Sequence, residues 1–574
     1  MHVIATAGHV DHGKSTLVRA LTGMEPDRLA EEQRRGLTVD LGFAWTELAG
    51  AVLAFVDVPG HERFVPNMLA GIGPAPAALV VVAADEGWQA QSAEHLAALD
   101  AFGVRHGLLV VTKSDRADPA PALAAAREHL AGTGLGAVRA VAVSARTGAG
   151  LPELRQELVG LTAGLPVPDT AADVRLWVDR AFTIRGAGTV VTGTLGAGTV
   201  RVGDELALAG RRVTVRGLQA LGRPHDEVAA VARVAVNLRG IDRDHVRRGD
   251  ALLTPAAWRT TREADVRLRG DSAPDLHREL VLHVGAAAVP CRVRPLGTDT
   301  ARVSFGTPLP LRAGDTGLLR DPGEHRIPAG FAVLDPNPPR LTGRGAARHR
   351  AAELDDDPAT AHLRRHKAVR ASDLRVLGWD PTGVRVDDWL VDEALHRDLP
   401  GLVAERFAEW AATHPVAAGM PVEALRREVE VPEAVLDAAL ASTDLTVHGG
   451  LVRRPRNSLP DGVSRAVATI EARLAAAPFA APEAADLTAL GLGPRELAAA
   501  ERAGRLVRLT ESVVVAHDAL DRATKVLAGL PAPFTVSDAR RALGTTRRVA
   551  VPLLERLDAA GITRRDADGA RILR

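Results

Sequence analysis

The chain contains no tyrosine, ten phenylalanines and seven tryptophans among 574 residues, so aromatics make up only 3% of it. With alanine, arginine and glycine abundant, that shortage reads as a base-composition bias of the genome and carries no functional signal. A single cysteine, Cys291, excludes an intrachain disulfide framework and cysteine-rich zinc sites. It reads as a small apolar filler in a strand. Net charge is missing too: 71 basic residues balance 71 acidic ones. Whole-chain charge therefore gives no argument for nucleic-acid binding, and only local patches can supply one. No apolar run approaches the roughly 20 residues that span a bilayer, and the first strand starts at residue 3, which leaves no room for a signal peptide. The expectation is a cytoplasmic protein, monomeric and without a membrane partner. The remaining composition, 46% hydrophobic and 25% charged, is that of a soluble globular chain. Its length predicts about three to five domains.

What is present begins at the N-terminus. Gly8-His9-Val10-Asp11-His12-Gly13-Lys14-Ser15-Thr16 follows the apolar run Val3-Ile4-Ala5-Thr6-Ala7 and precedes a helical pattern with Leu17, Val18, Ala20 and Leu21. This is the strand, glycine-rich loop and helix of a phosphate-binding loop, matching G-x-x-x-x-G-K-S. Gly8 and Gly13 leave room for the backbone to curl around phosphate oxygens with its amide N–H groups pointing inward. The helix N-terminus adds its positive end. Lys14 is placed to reach the β- and γ-phosphates, and the Ser15 hydroxyl to coordinate magnesium. Further apolar strands each run into polar residues: Val52–Val56 into Asp57-Val58-Pro59-Gly60-His61-Glu62, Ala78–Ala83 into Asp85-Glu86-Gly87, Leu108–Val111 into Thr112-Lys113-Ser114-Asp115, and Ala140–Val143 into Ser144-Ala145. Asp57 suits a magnesium shell facing the γ-phosphate, and the Gly60 N–H suits a contact that moves when that phosphate leaves. The alternation of strands and helices predicts a doubly wound, mostly parallel sheet with every motif at a carboxyl strand end. The Asp115 carboxylate can accept from the N1–H and exocyclic amine of guanine, a donor pair that adenine lacks, so GTP is expected over ATP.

Taken in this order, Gly8 to Lys14, Arg35-Gly36-Leu37-Thr38 and Asp57 to His61 stand close to the motifs of one group. Residues 1 to about 335 resemble the translational GTPases of the elongation factor Tu type. The resemblance implies that Thr38 joins Ser15 on magnesium in the GTP state. It also implies that His61 orients or polarises the attacking water, with Val10 and Leu37 as an apolar gate. Alone, His61 also reads as a satisfied surface histidine; its place directly after Asp-x-x-Gly favours catalysis. Thr112 replaces the commoner Asn of the guanine motif and keeps its purpose if its side chain still braces the phosphate loop.

Leu165-Pro166-Val167-Pro168-Asp169 breaks the helical pattern and reads as a linker. Short strands separated by Gly and Asp turns follow, over 174–178, 188–195, 205–209, 212–218 and 231–237, and predict a small β-barrel. Ala181 to Gly193, Asn237 to Ile241 and Arg248-Gly249-Asp250 resemble the second domain of the same GTPases. A further strand-rich block, Thr261 to Asp335, is expected to be a third domain. The resemblance implies that both barrels carry aminoacyl-tRNA. On residues alone, Asp179-Arg180 and the distant Arg233 read most simply as a surface ion pair and an unrelated arginine. They also resemble the aminoacyl pocket of bacterial selenocysteine-specific elongation factors, which implies two arginines recognising a selenolate, with Asp179 holding an arginine in place.

Beyond Asn337-Pro338-Pro339-Arg340 the pattern changes to helices with short strand pairs, repeating every 55–60 residues. Three copies of helix, helix, helix and hairpin are readable in residues 402–453, 467–515 and 523–573, each a winged helix, and 362–399 reads as a degenerate first copy. The last copy is locally basic. Arg547 and Arg548 open its third helix, Arg564 and Arg565 start its wing, and Asp568 and Arg574 also enter the charge count. Charge alone fits either a solvated face or an RNA site. The match of Phe534-Thr535-Val536 through Arg565 to the last module of the selenocysteine factors implies an mRNA hairpin.

The sequence therefore predicts a multidomain chain: a P-loop GTPase domain (1–165), β-barrels over 174–256 and 261–340, and winged helices over 345–400, 401–457, 458–517 and 518–574. By resemblance, it is expected to use GTP and Mg2+, bind selenocysteinyl-tRNA, an mRNA hairpin and the ribosome, and hydrolyse GTP on the ribosome. The alternatives are a carrier of ordinary aminoacyl-tRNAs, against which the C-terminal array argues, and a DNA-binding regulator with an appended NTPase, against which the barrels and the His61 motif argue.

Overall fold

The structure, a computed structural model, describes residues 1–26, 38, 40–186, 188–414, 417, 419–454, 459–566 and 569–573. Arg35, Gly36 and Leu37, with Leu37's half of the apolar gate, lie outside the described residues, as do Ala187, Asp568 and Arg574. The chain forms two compact units, Met1–Asp392 and Glu393–Arg574.

The first unit opens with β1 (His2–Ala7), α1 (Lys14–Thr22), β2 (Gly42–Leu48), β3 (Ala51–Asp57), α2 (Val65–Ile72), β4 (Ala77–Ala83), α3 (Ala90–Phe102), β5 (His106–Thr112), α4 (Pro119–Ala131), β6 (Ala140–Ala142) and α5 (Leu151–Ala163). The sheet order is β2-β3-β1-β4-β5-β6, with every pairing parallel except β2 to β3. Continuous apolar strands such as β4, buried along its whole length, require helices on both faces, and separate apolar clusters pack on the two sides. β2 was not expected from the sequence. Its Phe43 and Trp45 are only partly buried, so it carries no long apolar run and sits at the sheet edge. The parallel order sends the carboxyl ends of β1, β3, β4 and β5 to one rim, where this class of sheet builds its ligand site.

A β-barrel follows. Glu205–Leu208, Ala251–Leu253, Arg175–Trp177, Gly188–Leu195, Ala232–Arg239 and Arg211–Ala220 pair in that order, and the last pairs back to the first. Strict inside–outside alternation along Ala232–Arg239 places Val234 and Val236 in the core with Leu176, Val191 and Leu252. The strand Arg180–Ile184, also unexpected, pairs with Gly188–Leu195 off this ring. The third domain is a closed barrel of six strands from Thr261–Gly270 to Arg326–Asp335. Cys291 lies in its core, where burial pushes the thiol up to about 12 and leaves it an inert filler. Helices Ala346–Asp355, Pro358–His366 and Ala371–Val376 with the hairpin Val384–Val386/Trp389–Val391 complete the first unit. Arg350 ties them to the barrel: it is 2% exposed, donates to Asp265 at 2.7 Å and pairs with Asp335.

The second unit repeats three helices and a hairpin three times: Glu393–Thr413, Val422–Val429, Glu433–Ala441 and Thr446–His448/Leu451–Arg453; Asp461–Ala476, Ala484–Ala489, Pro494–Arg502 and Leu506–Thr510/Val513–Ala516; Ala519–Leu527, Val536–Ala542, Arg547–Ala559 and Thr563–Arg565/Arg571–Leu573. The last two repeats share one apolar cluster in which Phe479, Val513 and Val515 meet Phe534, Leu553 and Leu557. Among the described residues, no helix is long and apolar enough to cross a membrane.

Candidate functional site

Between β1 and α1 the chain turns through two left-handed positions, Asp11 (φ 62°) and Gly13 (φ 79°). Gly8 lies so close to β4 that a Cβ there would collide with the Val81 carbonyl. Lys14 is 6% exposed and donates to the Gly8 and His9 carbonyls at 2.9 and 2.7 Å, which folds its ammonium over the loop. Gly60 presses on the same loop: a Cβ there would fall 2.5 Å from both Lys14 Nζ and Val10 N. The segment after β3 thus lies directly against the phosphate loop. His61 follows, and its Nδ1 accepts the Arg63 N–H at 3.2 Å. A neutral imidazole in that bond carries its proton on Nε2.

Oxygen donors converge at the start of α1. The Ser15 hydroxyl donates to Asp57 Oδ2 at 2.6 Å and lies 3.0 Å from Thr38 Oγ1, while the Thr6 hydroxyl donates to Asp57 Oδ1 at 2.7 Å. Asp57 is fully buried, and burial pushes its carboxyl up against the pull of Lys14 and the two hydroxyls. Two hydroxyls and a buried carboxylate are the hard oxygen set that magnesium takes, and a cation would offset the desolvation of Asp57. The residues fit the ion.

On the base side, Thr112 Oγ1 donates to the His12 carbonyl at 2.7 Å, so the threonine makes the brace to the phosphate loop. Asp115 is exposed just beyond β5, and the Ser144 hydroxyl beside it holds its carboxyl below the usual range. Ser144 is buried and Ala145 half-buried. Lys113 pairs with Glu86 at 2.6 Å and Asp85 at 3.3 Å, while Asp11 and Thr16 are exposed on the loop and the first helical turn.

Two bracing residues on α3 were not found from sequence. The Gly8 N–H donates to His95 Nδ1 at 3.0 Å, and the Val10 N–H to Gln91 Oε1 at 3.4 Å. Burial holds His95 well below its ordinary pKa, so it stays neutral and keeps its acceptor. His12 is likewise fully buried, pushed down to about 4 by burial, with Nδ1 donating to the Val81 carbonyl at 3.2 Å. Nothing in the alanine-rich pattern of α3 marks His95 as more than filler.

The arginines of the second barrel meet because of strand register. Arg180 lies opposite Thr192 and Arg233 opposite Thr194, on either side of Gly188–Leu195 and on one face. Both guanidinium groups lie over the Phe43 ring of β2, at 5.3 and 3.9 Å from its centroid. Asp179, 2% exposed, grips Arg233 with both oxygens, one at 2.7 Å, and accepts the Thr192 hydroxyl at 2.7 Å. It does not hold Arg180. That side chain is held by the GTPase domain, with Nε 2.9 Å from Asp40 Oδ2 and Nη2 donating to the Leu41 carbonyl. Beside Arg180 opens a cavity of about 470 Å³ that Arg243, Arg247 and Arg248 also line.

In the last repeat, Arg547, Arg564 and Arg565 are exposed. Arg548 is not free in the same way: its Nη2 donates to the Ala481 and Pro482 carbonyls of the preceding repeat at 3.1 and 2.9 Å and pairs with Glu483 at 3.3 Å.

The chain matches family models for the elongation factor Tu GTP binding domain over residues 1–163 and elongation factor Tu domain 2 over 188–253. It further matches those for the selenocysteine-specific elongation factor beta-barrel domain over 263–340 and the elongation factor SelB winged helix over 525–572. Elongation factor Tu 2 of Streptomyces avermitilis is 33% identical over 56% of this chain and 93% of its own length. Fold, site and these matches define the class, a translation elongation factor with an elongation factor Tu-type GTP-binding domain. The selenocysteine-specific elongation factor of Escherichia coli is 40% identical over 65% of this chain, a match that covers 62% of that relative's length. A crystal structure of a bacterial selenocysteine-specific elongation factor superposes on the whole chain over its own whole length, with a TM-score of 0.69 and 25% identity. The chain belongs to the elongation factor Tu family of translation factors, and its barrel and winged-helix matches make it similar to the selenocysteine-specific elongation factors.

Proposed function

We propose that the protein carries selenocysteinyl-tRNA to the ribosome at a recoded UGA codon, in the cytoplasm and as a monomer, while its last repeat holds a hairpin of the mRNA. The observation that carries this reading is the meeting of Arg180 and Arg233 on Phe43. A selenol is more acidic than an alcohol or a thiol, so selenocysteine is mostly anionic near neutral pH, where serine and cysteine are largely neutral. Two guanidinium groups in a half-buried site favour that anion. The exposed Arg547, Arg564 and Arg565 supply phosphate contacts for the hairpin.

GTP is held by the loop Gly8–Thr16, with Lys14 on the β- and γ-phosphates, the Gly60 N–H on the γ-phosphate, and Thr112, Lys113, Asp115, Ser144 and Ala145 around the guanine. Magnesium, held by Ser15 and Thr38 with Asp57 behind them, supplies neutralisation of phosphate charge. His61 presents Nε2–H once Nδ1 is engaged, so it orients the attacking water by donating to it and stabilises charge as the ribosome docks. Val10 screens that water. Loss of the γ-phosphate frees Thr38 and Gly60, and the tRNA is released.

The test is selective binding. Removing Arg233 alone would strand a buried carboxylate, so Asp179→Asn and Arg233→Ala are made together. A desolvated arginine contact to an anion contributes about 1.5–3 kcal/mol, so selenocysteinyl-tRNA should dissociate roughly tenfold or more faster in the GTP state. Seryl-tRNA of the same body should change by less than about twofold. Equal losses for both would make Arg233 a general tRNA contact.

A further inference from the structure

Arg233 is fixed within its own barrel, but Arg180 is not. The Arg233 guanidinium is gripped by the buried Asp179 carboxylate of its own barrel, so although it also lies over Phe43 its position depends less on the GTPase domain than that of Arg180. Arg180 is held by Asp40 and the Leu41 carbonyl, and its buried Nε lies 2.9 Å from Asp40 Oδ2 without the alignment of a hydrogen bond. Charge therefore dominates the contact, and its strength depends on where Asp40 stands.

Asp40 lies two residues after Thr38, whose hydroxyl is 3.0 Å from Ser15 at the magnesium donors. Its other oxygen accepts from Arg248 Nη2 at 2.9 Å. Arg248 Nη1 donates to Asn67 on α2, six residues past His61, and Arg248 Nε donates to the Asp179 carbonyl at 2.8 Å. One side chain of the barrel thus reaches both segments beside the γ-phosphate position and the backbone of the residue that grips Arg233.

We propose that Asp40, with Arg248 behind it, is the positioning residue that makes the selenocysteine pocket conditional on the nucleotide. Arg233 is the half of the pocket held by its own barrel, and Arg180 is the half that comes into place only while Thr38 stands at the magnesium donors with Asp40 and Leu41 beside it. The inference rests on the pocket reading given above. Asp40 touches neither the nucleotide nor the amino acid and acts through Arg180.

The experiment uses the full chain and measures dissociation of selenocysteinyl-tRNA and seryl-tRNA of one body, in the presence of GDP or a non-hydrolysable GTP analogue. Asp40→Asn keeps the shape and removes the charge. It should speed loss of selenocysteinyl-tRNA in the GTP-analogue state by roughly three- to fivefold, the upper part of the range of a partly exposed ion pair. Seryl-tRNA and both GDP-state values should stay within about twofold, and Asp40→Glu should recover much of the selenocysteinyl loss. A fall shared equally by both tRNAs, or seen equally with GDP, makes Asp40 a structural residue and overturns the proposal. A gain in selenocysteinyl affinity also overturns it, because Asp40 would then compete with the anion. Wild-type protein that fails to separate the two tRNAs sinks the pocket reading itself; wild-type selectivity kept intact in Asp40→Asn sinks only the role of Asp40.

Discussion

Asp115 is an exposed carboxylate at the guanine end of the site, ionised at neutral pH like any exposed aspartate, and the Ser144 hydroxyl lowers its pKa further. A carboxylate offers two acceptors to the N1–H and exocyclic amine of guanine. An amide offers one acceptor and one donor, which matches the carbonyl that xanthine carries in place of that amine. Asp115→Asn should therefore weaken GTP on the order of a hundredfold or more and bring XTP above it in nucleotide competition. A ranking that still puts GTP first would remove Asp115 from the base contact. Single residues were legible where a local motif placed them. Lys14, Ser15, Asp57 and Thr112 come together because each sits next to a strand end on one rim. Asp40, Arg248 and His95 were not legible. Their partners lie 208 residues apart for Asp40 with Arg248, and 87 for Gly8 with His95, and no local pattern encodes a pairing at that distance.

At the scale of elements, the final helix Arg547–Ala559 starts with two arginines of different use. Arg547 points to solvent, whereas Arg548 secures the Ala481 and Pro482 carbonyls of the preceding repeat. Thr545 adds a hydroxyl donated to the Phe479 carbonyl at the same joint. A third arginine of the module, Arg571, is 4% exposed and pairs with Asp558 at 2.9 Å, so it too is structural. Arg547→Ala and Arg564→Ala should each weaken hairpin RNA and lower the slope of log affinity against log salt by about 0.7–0.9, with the urea midpoint unchanged. Arg548→Ala should do the reverse: it costs about 1 kcal/mol of stability by leaving two carbonyls unpaired and barely changes the salt slope. A filter-binding titration over salt, set beside urea melts, separates them; a full slope loss in Arg548→Ala would return it to the RNA contacts. The helices of this region were readable because buried positions such as Val549, Leu553 and Leu557 recur at helical spacing. β2 and Arg180–Ile184 were missed for the opposite reason. Each lies at a sheet edge or off the barrel ring with half-exposed faces, and neither shows a clean alternation. These two strands nevertheless bring Phe43 and Arg180 together, so the least legible elements carry the pocket.

The molecule as a whole has a built-in sensitivity to mild acid, concentrated in its first unit. His12 and His283 are pushed down to about 4 by burial, His362 also to about 4, and His95 well below its usual value, again with burial as the largest cause. An unfolded imidazole takes up its proton near 6.5, while folded His12, His283 and His362 refuse it until about 4. Between those values the unfolded chain binds more protons than the folded one, so stability must fall as pH drops through that window. At pH 5 the loss is on the order of 1–2 kcal/mol each for His12 and His283, with His362 and His95 adding in the same direction. The Asp57, Asp250 and Asp335 carboxyls are raised by burial, so the folded chain takes up their protons above 3.8, before the unfolded chain does, and they offset part of the histidine effect. Six of the seven tryptophans, at positions 45, 88, 177, 258, 379 and 389, lie in the first unit, so their fluorescence reports its unfolding. The urea midpoint read from that fluorescence should drop clearly between pH 7.5 and pH 5. Replacing His283, which lies in the third-domain barrel away from the nucleotide loop, with Gln should remove part of the drop without changing GTP affinity at pH 7.5. An acid-insensitive midpoint would mean that these imidazoles exchange protons freely in the folded chain, and the buried, neutral state assigned to His12 and His95 beneath the phosphate loop would be wrong.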